Sequence, residues 1–250
     1  MRSSSQIPAH LSNFKHPVLD RLRVLAGGLQ KSRCLLCDGK ALAQAICEGC
    51  RADLPWLQED RCFICAHPLP VSGICGRCIA DTPHFDHVAT ACRYAYPLDG
   101  LIQSCKYGGR LAAIRALALL LPAALPRPPD LIVPMPLSPQ RLRERGFNQA
   151  LELARHAANG IRAPIAADVC VKVRDTPSQT DLPWKERRKN VRGAFVVRER
   201  LDGLHIAVVD DVLTTGATLN EIARNLKKSG ALTVSGWIVA RTVAGGHWRR

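Results

Sequence analysis

Residues 206–219 constrain this chain more than any other stretch. They read Ile-Ala-Val-Val-Asp-Asp-Val-Leu-Thr-Thr-Gly-Ala-Thr-Leu. The apolar, largely β-branched run 206–209 has the character of a parallel strand buried on both faces, which places the chain in the α/β class. The strand is expected to stop at two adjacent carboxylates, Asp210 and Asp211. A short turn rich in hydroxyls and glycine follows, Thr214-Thr215-Gly216-Ala217-Thr218. Leu219, Ile222, Ala223 and Leu226 then recur at helical spacing, so a helix should start near Thr218. Backbone N–H groups of such a turn, together with the positive end of the helix, make a cradle for one phosphate. The carboxylates beside it can accept hydrogen bonds from vicinal sugar hydroxyls. The stretch therefore suits a ribose 5-phosphate group.

The rest of the composition bounds the partners. The formal charge is +14 over 250 residues, which calls for an anionic partner such as nucleic acid or phosphorylated metabolites. Generally heavy arginine use is the blander source of such a charge. The most apolar stretch, 111–125, is interrupted by Arg115 and Pro122 and is too short to span a bilayer. The first residues lack the continuous apolar core of a secretory signal. A cytoplasmic location with reduced thiols is expected.

That expectation shapes the reading of the eleven cysteines. Eight of them form four Cys-x-x-Cys pairs, the first two recurring in register as the last two: Cys34 and Cys62, Cys37 and Cys65, Cys47 and Cys75, Cys50 and Cys78 are each 28 positions apart. Two Cys-x-x-Cys knuckles complete one tetrahedral thiolate site, so the repeat predicts two zinc ribbons with one structural Zn²⁺ each. Redox pairs and disulfides are the competing readings, and four pairs in register argue against both. The repeat favours sequential sites; joining Cys47/Cys50 to Cys62/Cys65 is the other pairing open at this level. Each ribbon is too poor in apolar residues to fold without its metal. His67, His84 and His87 then fall to surface or linker positions. Cys92, Cys105 and Cys170 stand alone and suit small core positions.

Three regions follow: an extension over 1–31, with an amphipathic helix expected over 17–26; the double ribbon over 32–82; and an α/β domain over 87–243. A hinge over 81–86 should separate the last two. In the α/β domain we expect strands at 88–96, 131–133, 169–173, 194–197 and 233–240. Helices are expected at 98–104 and 111–121, joined by a turn over 106–110, with another passing through Leu151, Leu153, Ala154 and Ala157. A strand end stiffened as Pro134-Met135-Pro136 is where such a sheet places ligand contacts. Arg141, Arg143 and Arg145 cannot share one helical face, so at least one should turn into the crevice. The tail 245–250 is basic.

The 206–219 stretch resembles the signature of the type I phosphoribosyltransferases, which bind 5-phosphoribosyl-1-pyrophosphate (PRPP). Val133-Pro134-Met135-Pro136, Arg145-Gly146-Phe147-Asn148-Gln149, Lys106-Tyr107 and the set Gln179, Arg187, Asn190, Ala194 and Phe195 narrow the resemblance to the ComF family of phosphoribosyltransferase-like proteins. A cysteine-rich zinc module ahead of a transferase domain is also that family's layout. The resemblance spans roughly residues 34–242. It implies a type I phosphoribosyltransferase fold in which Val209, Asp210, Asp211, Thr214, Thr215, Gly216, Ala217 and Thr218 bind PRPP, which brings its own Mg²⁺, with Asp210, Asp211 and Arg145 as the catalytic residues. Met135, Lys106 and Arg141 or Arg145 would face the pyrophosphate. It makes 174–193, with Gln179, Arg187 and Asn190, a lid that excludes water; without the resemblance 184–191 reads equally well as a surface helix. The family is associated with DNA uptake in natural transformation, which implies single-stranded DNA and the uptake or helicase machinery as partners. Phe63, Tyr107 and Trp184 would be candidate stacking residues. Transfer of a phosphoribosyl group to a nucleobase or other small acceptor, with no nucleic-acid role, is the alternative.

Overall fold

The computed structural model describes residues 32–41, 45–57, 59–108, 111–121, 125, 127–159, 161, 163–175 and 190–243, with only the backbone of Ser32, of 106–108 and of Leu111. The expected helix over 17–26, Gln179, Trp184, Arg187 and the tail 245–250 lie outside these residues.

The body is a four-stranded parallel sheet in the order β3-β8-β7-β4, formed by β3 His87–Arg93, β4 Leu131–Pro134, β7 His205–Leu213 and β8 Thr233–Arg241. Both faces are covered, as the continuous apolar strands require. One face carries α3 Leu98–Gly108, α4 Leu111–Ala118 and α6 Gln149–Ala157, with Ile102, Ile114, Leu117 and Leu153 meeting Ala207, Val209 and Val239. The other carries α7 Ala217–Lys228, whose Leu219, Ile222, Ala223 and Leu226 meet Val88, Val208, Val234 and Ile238. Gly236 in β8 is a packing requirement of that face, since a Cβ there would lie 2.7 Å from Leu219 Cδ2. A small antiparallel pair, β5 Cys170–Lys172 with β6 Phe195–Val197, completes the domain. Cys92, Cys105 and Cys170 are all buried, and burial alone pushes the Cys92 and Cys170 thiols up to about 12.

The cysteine module is built from β1 Ser32–Arg33, β2 Lys40–Ala41, α1 Glu48–Ala52 and α2 Gly76–Ala80. Its two ribbons sit on opposite faces of the sheet. Cys34, Ala41, Ile46 and Leu54 belong to the α3/α4 face, whereas Cys62, Cys65, Cys75 and Cys78 belong to the α7 face. The chain between them runs along the outer edge of β3: Leu57 N donates to Ala91 O and Arg93 N to Pro55 O, at 2.8 and 2.7 Å. Arg61 adds a bond to Thr90 O. An edge strand open to other chains is thereby paired within the molecule.

Three sequence expectations are corrected and one helix is added. β7 does not stop at the acids but continues through them to Leu213, because β8 supplies partners that far. The expected turn over 106–110 does not start at 106, since α3 runs on to Gly108. The arginine-rich segment contains its own helix, α5 Pro139–Arg145, capped by the Ser138 side chain, started by Pro139 and closed by Gly146 at φ 76°. Segment 81–86 is anchored, not a hinge: Phe85 is buried, and Asp86 receives Val234 N and Lys227 Nζ at 2.8 and 2.7 Å.

Candidate phosphate site and metal centres

All four strands of the sheet are parallel, so their carboxyl ends gather on one rim, where open α/β sheets bind ligands. Asp210 and Asp211 lie there in β7, both half-buried, and Asp210 Oδ1 accepts the Asp211 N–H at 2.9 Å. Gly216 follows at φ 82° and caps α7. Only glycine adopts this left-handed turn without strain, and the Thr215 hydroxyl accepts from Ala217 N at 3.2 Å. Phe85 forms the floor: its ring lies 3.5 Å from where a Gly216 Cβ would be. Thr214, Thr215 and Thr218 are half-buried around the turn.

The neighbouring strand brings Met135 alongside. Its N–H donates to Val209 O at 2.9 Å, and its carbonyl accepts from Asn148 Nδ2 at 3.1 Å. Asn148 in turn caps α6 through Ala150 N and Leu151 N, so Arg-Gly-Phe-Asn-Gln acts partly as the brace of the Met135 loop. Arg145 donates to Gln149 Oε1 at 2.8 Å. Lys106 lies in α3, with its side chain outside the described residues. Asn190 offers its carbonyl to Arg174. Glu221 in α7 accepts Gly193 N at 2.8 Å and Arg224, and these partners outweigh burial to hold its carboxyl below the usual range.

Two residues of the site escaped the sequence reading. Lys172 in β5 is buried, and burial together with the charges of Arg141 and Arg174 pulls it down to about 8, opposed by Asp175 and Asp210. A lone lysine between Val171 and Val173 was the available signal. The other is Arg241 at the end of β8, only 2% exposed. It donates to the carbonyls of Leu213 and Thr214. A cavity of about 60 Å³ lies behind the turn, between it and the second ribbon.

The eight paired cysteines gather into two sets, Cys34/Cys37/Cys47/Cys50 and Cys62/Cys65/Cys75/Cys78, with every sulfur in a set within 4.8 Å of the others. This is the sequential pairing. Tetrahedral zinc with bonds of about 2.3 Å needs sulfurs about 3.8 Å apart, and Cys37–Cys47 and Cys65–Cys75 stand at 3.7 Å. Backbone N–H groups also aim at the sulfurs, Cys47 N at Cys34 and Cys75 N at Cys62, at 3.3 and 3.4 Å. Burial opposes ionisation of Cys34 and Cys62, yet such backbone donors bring them down to about 6 and about 7. Both sets fit structural Zn²⁺. Of the nearby histidines, His84 is exposed and His87 bonds Phe63 O at 2.8 Å. His67 is more enclosed than expected, with a buried Nδ1.

Comparison with known proteins agrees with this layout. A model of the double zinc ribbon domain matches residues 30–79. The chain is 36% identical over 159 residues to the DNA utilization protein YhgH of Salmonella typhi, covering 60% of this chain and 70% of that one. It is 34% identical over 168 residues to competence protein F of Haemophilus influenzae, covering 63% and 73%. With competence protein ComFC of Bacillus subtilis it shares 34% identity over 113 residues, 44% of each chain. A solved purine phosphoribosyltransferase from Pyrococcus horikoshii is similar at 17% identity and a TM-score of 0.28, over 62% of this chain and 87% of that one, a likeness too slight to carry an argument. Among the described residues no helix is long and apolar enough to cross a membrane.

Proposed function

Since this chain belongs to the ComF family of phosphoribosyltransferase-like proteins, we propose that it binds PRPP at the carboxyl rim of its sheet and uses that site in DNA utilization, in contact with single strands. The observation that carries the reading is the continuity of acid pair, left-handed Gly216 turn and helix N-terminus on one rim. Asp210 and Asp211 orient the ribose through its hydroxyls. The turn 214–218 receives the 5-phosphate on backbone N–H groups and threonine hydroxyls. Lys172, which senses the charges of Arg141 and Asp210, is assigned with Arg141 to the pyrophosphate, where cations stabilise the charge that develops on the leaving group. Arg145 and Lys106 are further candidates for that role. Mg²⁺ carried by PRPP supplies part of the same neutralisation. Residues 174–193, including Gln179, Arg187 and Asn190, are assigned as the cover that keeps water out during transfer.

The names of the relatives, DNA utilization and competence, support the nucleic-acid half of the proposal, as does the charge of +14. Phosphoribosyl transfer to a small acceptor alone is the second reading, and the same rim would serve it. Calorimetry with PRPP and Mg²⁺ tests the shared core: micromolar binding in the native chain, lost in Asp210→Asn/Asp211→Asn with the fold intact, is expected. Equal binding by that variant would refute the site. Pyrophosphate release, screened with nucleobases and with single-stranded DNA, then separates the two readings.

A further inference from the structure

Among the described residues Arg241 is the largest fully buried side chain. A guanidinium this deep persists only where its surroundings repay desolvation. Its partners come from two places. Nη1 donates to the Leu213 and Thr214 carbonyls, both in the approach to the phosphate turn, and Nη2 faces Cys65 Sγ at 4.0 Å. Cys65 is a ligand of the second metal set. One rigid, planar group therefore spans the turn and the metal centre.

The consequence for the turn follows from peptide geometry. In a trans peptide, the carbonyl of one residue and the N–H of the next point in opposite directions. Holding the Leu213 and Thr214 carbonyls toward Arg241 aims the N–H groups of Thr214 and Thr215 away from it. A zinc–thiolate centre retains net negative charge, so it also offsets the buried guanidinium from behind. Phe85, which leaves the second ribbon and packs beneath Gly216, ties the same two parts a second time. The first ribbon packs elsewhere, on the α3/α4 face.

We infer that Arg241 is a positioning residue that couples the second zinc ribbon, and not the first, to the phosphate turn. The inference rests on the PRPP reading of that turn. By linkage the coupling is reciprocal: anything that loosens the second metal weakens the ligand, and the ligand holds that metal.

Two experiments on the full chain test it. In the first, Arg241→Met and Arg241→Lys are compared with the native chain for zinc content, PRPP–Mg²⁺ affinity and amide exchange at 214–217. Arg241→Met should keep two zinc ions, lose tenfold or more in affinity and exchange faster at the turn, with Arg241→Lys recovering part of the loss. Affinity within twofold of native, with both metals present, overturns the proposal. The second needs no variant and decides the matter if Arg241→Met does not fold. The native chain is challenged with a chelator, and the two zinc ions are followed separately by the labelling of their cysteines. PRPP should slow release from Cys62/Cys65/Cys75/Cys78 severalfold and leave Cys34/Cys37/Cys47/Cys50 unchanged; equal protection of both, or of neither by PRPP that does bind, sinks the coupling. If PRPP does not bind at all, the functional reading fails on its own. Exchange at 214–217, measured as the second metal is withdrawn, still judges the Arg241 link.

Discussion

The two ribbons share one spacing and differ in nearly everything that spacing does not control. In the first, only Cys34 is buried, Cys37 is exposed, and the set lies on the α3/α4 face. In the second all four cysteines are buried, and the set lies on the α7 face, behind the Gly216 turn. The cause is the strip 55–57. By pairing with the edge of β3, it carries the chain from one face of the sheet to the other. A repeat thus reports a shared local geometry, in which two knuckles enclose one metal. What each copy is for depends on the surface it covers.

The largest expected effect separates the copies by stability. Cys62→Ser/Cys65→Ser should remove one zinc ion and cost on the order of 5 kcal/mol, because metal binding is folding free energy and this metal lies inside the core. Cys34→Ser/Cys37→Ser should also remove one ion but release only its own ribbon, at about 1–2 kcal/mol. Metal analysis with denaturant melts decides this, and equal losses would erase the distinction.

Next in size is the ligand. PRPP with Mg²⁺ at a hundredfold over its dissociation constant should stabilise the native chain by about 2.7 kcal/mol. The same shift should survive the first-ribbon variant and vanish in Asp210→Asn/Asp211→Asn. A first-ribbon variant that no longer responds would show that both copies serve the site.

A pH test probes the site from its other side. Lys172 has a folded pKa of about 8, below its ordinary 10.5. Its charge is therefore present below pH 8 and lost as pH rises through that value. The cost of keeping that charge in the fold is present below pH 8 and relieved between 8 and 10.5. PRPP affinity should fall severalfold between pH 7 and pH 9, and Lys172→Met should flatten that fall. A profile that keeps its slope in Lys172→Met would remove this lysine from the site.

The smallest expected effect concerns nucleic acid. The exposed first ribbon carries Arg33, Lys40 and Arg51, so its loss should weaken single-stranded DNA binding about two- to fivefold, in a salt-dependent manner. PRPP affinity should be untouched. Fluorescence anisotropy with heparin and duplex controls measures it; no preference for single strands over either would leave only generic attraction of a basic chain.

Much of this was legible in the residues because the determining interactions are short-ranged. A Cys-x-x-Cys knuckle closes on itself, and register between knuckles needs only the repeat. The apolar run of β7, the Gly216 turn and the periodicity of α7 are each local, so strand, turn and helix could be placed together. The capping signal Ser138-Pro139 to Gly146 is equally local and marks α5, a helix too short for periodicity to show. Strand length was harder: Asp210 and Asp211 look like a terminus until β8 is beside them.

What only the tertiary structure decided lies between residues far apart along the chain. Arg241 and Cys65 are separated by 176 positions, and Lys172 meets the field of Asp210 across the crevice. The strip that pairs with β3, and with it the assignment of one ribbon to each face, depends on which strand is left at the edge of the sheet. By its own pattern the sequence determined two four-cysteine clusters and one strand–glycine turn–helix unit. That the second centre stands behind the turn follows from packing two layers onto one sheet, and periodicity along a chain carries no record of that.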